Sequence, residues 1–280
     1  MSGDKLASGG GRVFKSHSNS SRSLRRTSTR RFVTLNFKSR LGNDGGQEGV
    51  IKHGNGGPQK PRRHRPRYLA IPKKGRGPGV LVLHAWWGLN DFFKGLCDEL
   101  ARAGFVAFAP DLYRGATAST RDGAERLMSK LDQKVAGQDI LNGVRGLQSH
   151  PGPKEKHLGV IGFSMGAFWS LWLAQELPAD VAAVALFYGT GDGNYSHIKA
   201  AFLGHFAETD EFESAAAVQG LEKDLRTRVK DLTFYTYPGT THWFFEKDRP
   251  DAYDAPAAKL AWQRTIRFLT TQLSGESVGD

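Results

Sequence analysis

From residue 79 to residue 273 the sequence alternates short unbroken apolar runs with longer stretches whose apolar residues recur every three or four positions. Residues 79–85 (GVLVLHA) form the first such run. A run without polar alternation suits a strand buried on both faces. Further strands are expected at 105–109, 158–163, 181–188, 201–206 and 232–237. Between them lie helical stripes. Residues 91–103 carry Phe92, Phe93, Leu96, Cys97 and Leu100 on one face, with Asn90 as N-cap and Gly104 as stop. Two helices are expected over 120–135 and 138–149, a third over 165–176, and two more over 214–228 and 257–273. The 165–176 helix is apolar nearly all round, which places it centrally. Strands alternating with helices imply an α/β fold, a mostly parallel central sheet flanked by helices on both faces. In such sheets active sites form beyond the carboxyl ends of strands. The loops to read therefore follow Ala85, Phe163, Phe206 and Tyr237.

The loop after Phe163 holds Gly162-Phe163-Ser164-Met165-Gly166, a G-x-S-x-G between an expected strand and an expected helix. That context is the one a nucleophile elbow requires. The chain must turn sharply there, so the residues two positions to either side of the serine must be small. Ser164 Oγ then projects at a helix N-terminus, whose dipole favours negative charge. A serine needs a base. On this scaffold the chain order is serine, acid, histidine. His242 lies in the last strand-to-helix loop, and Asp210 in the acidic loop 205–211 is the expected acid, with Glu208 the next choice and Glu211 a solvated helix start. The acid holds the imidazole tautomer and stabilises imidazolium. An oxyanion hole needs two convergent N–H groups. Met165, following the nucleophile, and Trp86, in the loop after the first strand, are the expected backbone donors. His84, Trp87, Tyr188 and Arg114 are the remaining pocket candidates. Trp169, Trp172 and Trp262 lie on helices and read as core.

These segments resemble the dienelactone hydrolase family, a branch of the α/β-hydrolase fold. GVLVLHAWWGLNDF, FAPDLYRG, LGVIGFSMGAFWS, FYGTG, GHFAETDEF and TYPGTTHWFFEKDRPDAYD occur in family order over residues 79–273. The resemblance implies a Cys-His-Asp triad, with Ser164 standing in the cysteine position and His242 and Asp210 in the others. Three departures follow. Serine needs general-base help where a thiolate can form an ion pair with imidazolium. Cys97 lies on a helix stripe and reads as a small core hydrophobe. The family's enzyme that opens dienelactone has a glutamate where Ala85 stands. It also has an arginine four residues after the histidine, to bind the substrate carboxylate; here that residue is Glu246, expected to repel an anion.

Charge divides the chain. Residues 1–67 hold 16 Lys+Arg against 3 Asp+Glu, whereas the remainder holds 23 against 25. The net charge of +11 is thus an N-terminal property, and residues 68–280 are nearly neutral. Low apolar content and high charge mark residues 1–67 as a disordered basic extension; the resemblance implies that 68–280 form a dienelactone hydrolase-like α/β-hydrolase domain. The acid-free stretch 12–40 is also compatible with an organellar transit peptide, a nucleic-acid-binding arm or a start codon placed upstream. One cysteine excludes an intramolecular disulfide and Cys₂ or Cys₄ zinc sites. No apolar run is long enough to span a bilayer, and no apolar region follows the early arginines to make an export signal.

The sequence therefore leads us to expect a cytoplasmic serine hydrolase, monomeric or homodimeric, cleaving a small ester or lactone without metal or organic cofactor. Nucleic acid is not an expected partner. The alternatives are carboxymethylenebutenolidase activity proper, an acyltransferase, and a hydrolase-like scaffold whose basic tail binds nucleic acid or membrane.

Overall fold

The computed structural model describes residues 67–153 and 157–274. The disorder expected of the N-terminal extension falls outside the described residues, except that Arg67 already belongs to a strand. The strands are β1 (Arg67–Ala70), β2 (Gly79–Leu83), β3 (Val106–Pro110), β4 (Leu158–Phe163), β5 (Val181–Phe187), β6 (Ala201–Thr209) and β7 (Leu232–Thr241). The helices are α1 (Asp91–Arg102), α2 (Arg121–Ser129), α3 (Gln133–Gln148), α4 (Met165–Glu176), α5 (Ala215–Arg226) and α6 (Ala255–Ser274).

The strands make one seven-stranded sheet in the order β1-β3-β2-β4-β5-β6-β7. Among the described residues only β1 is antiparallel to its neighbour; the other pairings are parallel. Right-handed crossovers are the rule for such connections. The step from β2 to β3 runs one way along the sheet, and the steps to β4, β5 and β7 run the other way. This puts α1 on one face and α3, α4 and α5 on the opposite one. Every residue of β2, β3 and β4 is buried, as their unbroken apolar runs require.

Local signals account for most boundaries. Asn90 caps α1 by accepting from Phe93 N at 3.2 Å, and Gly104 follows that helix at φ +101°. The two helices expected over 120–135 and 138–149 are present, but the break between them comes earlier. Helix α2 ends at Ser129, and Asp132 starts α3 by accepting from Lys134 N and Val135 N. Strands β6 and β7 run further than expected, so Asp210 and His242 directly follow strand ends.

Two devices hold the site's framework. The first is an aromatic layer beneath it. Phe163 stacks on Phe187 at 4.5 Å, and Phe245 lies 4.6 Å from Phe187 and 5.6 Å from Phe163. Each such pair contributes about 0.5–1.5 kcal/mol beyond area burial. The second is a buried polar relay. Arg264 Nη1 donates to Tyr237 Oη at 3.1 Å, which donates to His205 Nδ1 at 2.8 Å. His205 Nε2–H then donates to Thr265 Oγ1 at 2.9 Å, and Thr265 donates to Ala261 O. Burial and the Arg264 charge push His205 down to about 3, so the ring stays neutral. The relay ties α6 to β6 and β7.

Candidate active site

Sheet register brings the chemistry-bearing residues together. Leu83 pairs with Gly162, so the loop carrying Trp86 leaves the sheet beside the Ser164 turn. Thr209 pairs with Thr241 after a register shift, so Asp210 and His242 emerge side by side. Ser164 sits at φ 51°, ψ −113°, a strained conformation for a residue with a side chain. Such backbone costs about 1–3 kcal/mol and persists only where surroundings enforce it. The surroundings are tight. A Cβ on Gly166 would come within 2.0 Å of Leu83 O, and one on Gly162 within 2.2 Å of Ser170 Oγ. The two glycines therefore allow β4 to turn into α4 against β2.

His242 and the Asp210 side chain are almost completely buried. Asp210 Oδ1 accepts from the amides of Phe212 at 2.8 Å and Glu213 at 3.0 Å, which fixes the carboxylate. Its Oδ2 lies 2.7 Å from His242 Nδ1. A carboxylate only accepts, so Nδ1 carries the proton. Nε2 is then a free acceptor, and Ser164 Oγ donates to it at 3.0 Å. The series Asp210–His242–Ser164 can take a proton from the hydroxyl and later return it.

Met165 opens α4, so its N–H has no intrahelical acceptor. Among the described residues neither the Met165 nor the Trp86 amide enters a turn or loop hydrogen bond. The Trp86 ring is fixed by Trp243, stacked at 5.9 Å, and by Phe212 at 5.5 Å.

The structure places the four remaining candidates as follows. His84 is fully buried: Nδ1–H donates to Ala85 O at 2.7 Å and Nε2 accepts from Leu112 N at 3.2 Å. With both nitrogens used, and burial lowering its basicity, it braces the loops after β2 and β3. Trp87 is buried under the Arg249 guanidinium, 4.0 Å above its ring. Tyr188 is buried behind His242, ring centroids 4.9 Å apart, and donates to Glu246 Oε1 at 2.8 Å. Arg114 is exposed on the loop after β3, and none of its described contacts reaches Ser164, His242 or Asp210.

Glu246 overturns an expectation. It is fully buried, so it does not face an incoming anion. Burial pushes its carboxyl up to about 8, with the Tyr188 hydrogen bond opposing. The sequence showed only its offset from His242; the turn 242–245 rotates it inward. The other acids have separate tasks. Glu208 accepts from Gly239 N at 2.9 Å, and Glu211 pairs with Arg121 at 2.7 Å on the half-exposed rim. Glu213, not singled out from the sequence, accepts from Thr190 Oγ1 at 2.5 Å and ties the loops after β5 and β6. Burial raises its carboxyl. Its signal was its place three residues after Asp210. Trp169 is buried and Trp172 stands against it at 5.3 Å; Trp262 lines a surface groove between α1 and α6.

The model of the dienelactone hydrolase family matches residues 66–273. The chain belongs to the dienelactone hydrolase family. Protein usf of Aquifex pyrophilus is 36% identical over 222 residues, covering 74% of this chain and 93% of that one. A protein of Aquifex aeolicus assigned as a carboxymethylenebutenolidase is 34% identical, with coverage of 74% and 93%. A solved structure from Klebsiella pneumoniae, assigned to the dienelactone hydrolases, shares the fold at a TM-score of 0.65 and 24% identity, covering 74% of this chain and 92% of its own. The family fold is thus an α/β-hydrolase sheet. Among the described residues no group of three or more His, Cys, Asp or Glu side chains is arranged to hold a metal ion. No described helix is long and apolar enough to cross a membrane.

Proposed function

We propose that the chain hydrolyses a small carboxylic ester or lactone through an acyl-enzyme on Ser164. Ser164 Oγ attacks the carbonyl carbon while His242 Nε2 takes its proton. The tetrahedral oxyanion is held by the N–H groups of Met165 and Trp86. As the C–O bond breaks, His242 returns the proton to the leaving alkoxide; in a lactone that alcohol stays tethered to the acyl group. Water then attacks the acyl-enzyme with His242 again as base, and Ser164 is regenerated. Asp210 keeps the proton on Nδ1 throughout.

The observation that carries this reading is the unbroken hydrogen-bonded series from Asp210 through His242 to a strained serine at the N-terminus of α4. Fluorophosphonate labelling with mass-spectrometric mapping should mark Ser164. Turnover of p-nitrophenyl acetate should vanish in Ser164→Ala, and a variant as fast as wild type would refute the assignment.

A narrower reading, carboxymethylenebutenolidase activity, is favoured by the Aquifex aeolicus relative's assignment. Against it, Ala85 replaces a glutamate, and buried Glu246 stands where the family enzyme has a carboxylate-binding arginine. Competition between neutral esters and an anionic dienelactone separates the two. Preferential turnover of the dienelactone would favour the narrower activity.

A further inference from the structure

The buried pair Tyr188 and Glu246 has no place in the proton transfers above, yet it sits directly behind the base. We propose that Tyr188 and Glu246 form a neutral clamp that positions His242 over Ser164, an inference resting on the acyl-enzyme reading. His242 begins a tight turn in which Phe244 N donates to Thr241 O at 3.1 Å and Glu246 N to Trp243 O at 2.9 Å. Trp243, at φ 69°, bends that turn so that Glu246 points back into the protein. There it meets the Tyr188 hydroxyl, contributed by the end of β5. Tyr188 is itself held at φ 37°, its N–H donating to His205 O at 2.8 Å. Its ring therefore has a fixed origin at one end and a fixed hydroxyl at the other. The imidazole packs against that ring at 4.9 Å, and against Phe212 at 4.8 Å. The hydrogen bond closes a loop from the sheet, through the Tyr188 ring and Glu246, back to the turn that carries His242.

The carboxyl suits this task only as a neutral acid. Glu246 Oε2 is buried with no hydrogen-bond partner among the described residues. An ionised oxygen in that position would lack any hydrogen-bond donor, with only the Arg249 charge to favour it, whereas the protonated form leaves Oε1 as a carbonyl-like acceptor for Tyr188. Asp210 then remains the carboxylate paired with the imidazolium, with no second full charge packed behind the ring.

The test measures kcat and KM for p-nitrophenyl acetate on the full chain carrying Tyr188→Phe, Glu246→Leu, Glu246→Gln or Ser164→Ala. Glu246→Gln keeps a carbonyl acceptor for the Tyr188 hydroxyl, so its kcat should stay near wild type. Tyr188→Phe and Glu246→Leu lose the hydrogen bond; kcat should fall by about 10- to 100-fold with KM unchanged, as for a misplaced catalytic group. Wild-type kcat in both variants, a rise in KM with kcat kept, or a Glu246→Gln loss as large as that of Glu246→Leu would overturn the clamp. An inert Ser164→Ala beside unaffected clamp variants sinks the clamp alone. Turnover surviving in Ser164→Ala sinks the nucleophile assignment, and the clamp with it.

Discussion

Glu246 should impose a pH dependence on folding stability that a single substitution removes. Its carboxyl moves from 4.5 to about 8 on burial, with Asp248 adding to the rise and Tyr188 and Arg249 opposing it. Between those values the folded protein holds a proton that the unfolded chain releases. Raising the pH therefore draws the equilibrium toward the unfolded state, by about 1.4 kcal/mol per pH unit. The stabilisation is complete below the unfolded value, is lost as the pH climbs, and levels off above the folded value. Between about pH 5 and pH 8 the loss amounts to about 3–4 kcal/mol, a large share of a typical folding stability. Glu246→Gln cannot titrate. Any constant cost of burying the amide cancels when one protein is compared with itself at two pH values. Urea unfolding followed by circular dichroism at about pH 5, 6, 7 and 8 should show wild type weakening relative to the variant by that amount. Parallel stability curves for the two proteins would refute the argument, because Glu246 would then titrate alike folded and unfolded.

Three further outcomes follow from the geometry. Gly166→Ala places a Cβ 2.0 Å from Leu83 O, backbone that cannot rotate away, so thermal melting should show a loss of at least about 3 kcal/mol. Asp210→Asn lets an amide donate toward Nδ1 and favours the tautomer with a proton on Nε2. Ester turnover should fall by about 10⁴-fold, and a loss under tenfold would contradict the assigned role. Thr265→Val removes the acceptor of His205 Nε2–H inside the core. Denaturant titration should give a loss of about 1–3 kcal/mol, with esterase kcat unchanged.

Much of the architecture was legible because its causes are local. An unbroken apolar run buries both faces of a strand wherever it is placed, and Asn90 or Ser214 caps a helix by bonding amides three residues on. The elbow is likewise local, since Gly162 and Gly166 flank the serine they serve. The order Ser164, Asp210, His242 could be read from the chain alone. The four residues of β1 were too short a run to stand out, and their antiparallel pairing with β3 depends on a neighbour about 40 residues away.

What the sequence left open is which side chains reach the reacting atoms. His84, Trp87 and Tyr188 stand at strand ends and read as pocket residues, yet each is buried by partners distant in sequence. Glu246 read as a charge that would repel an anion because only its offset from His242 was visible. Its partner, Tyr188, lies 58 residues earlier and meets it only when β5 and the turn after β7 converge. Periodicity, caps and the elbow follow from a residue and its near neighbours, so sequence determined them. Burial, protonation and the aim of His242 arise from contacts that exist only once the sheet has set its order and register, so tertiary structure decided them.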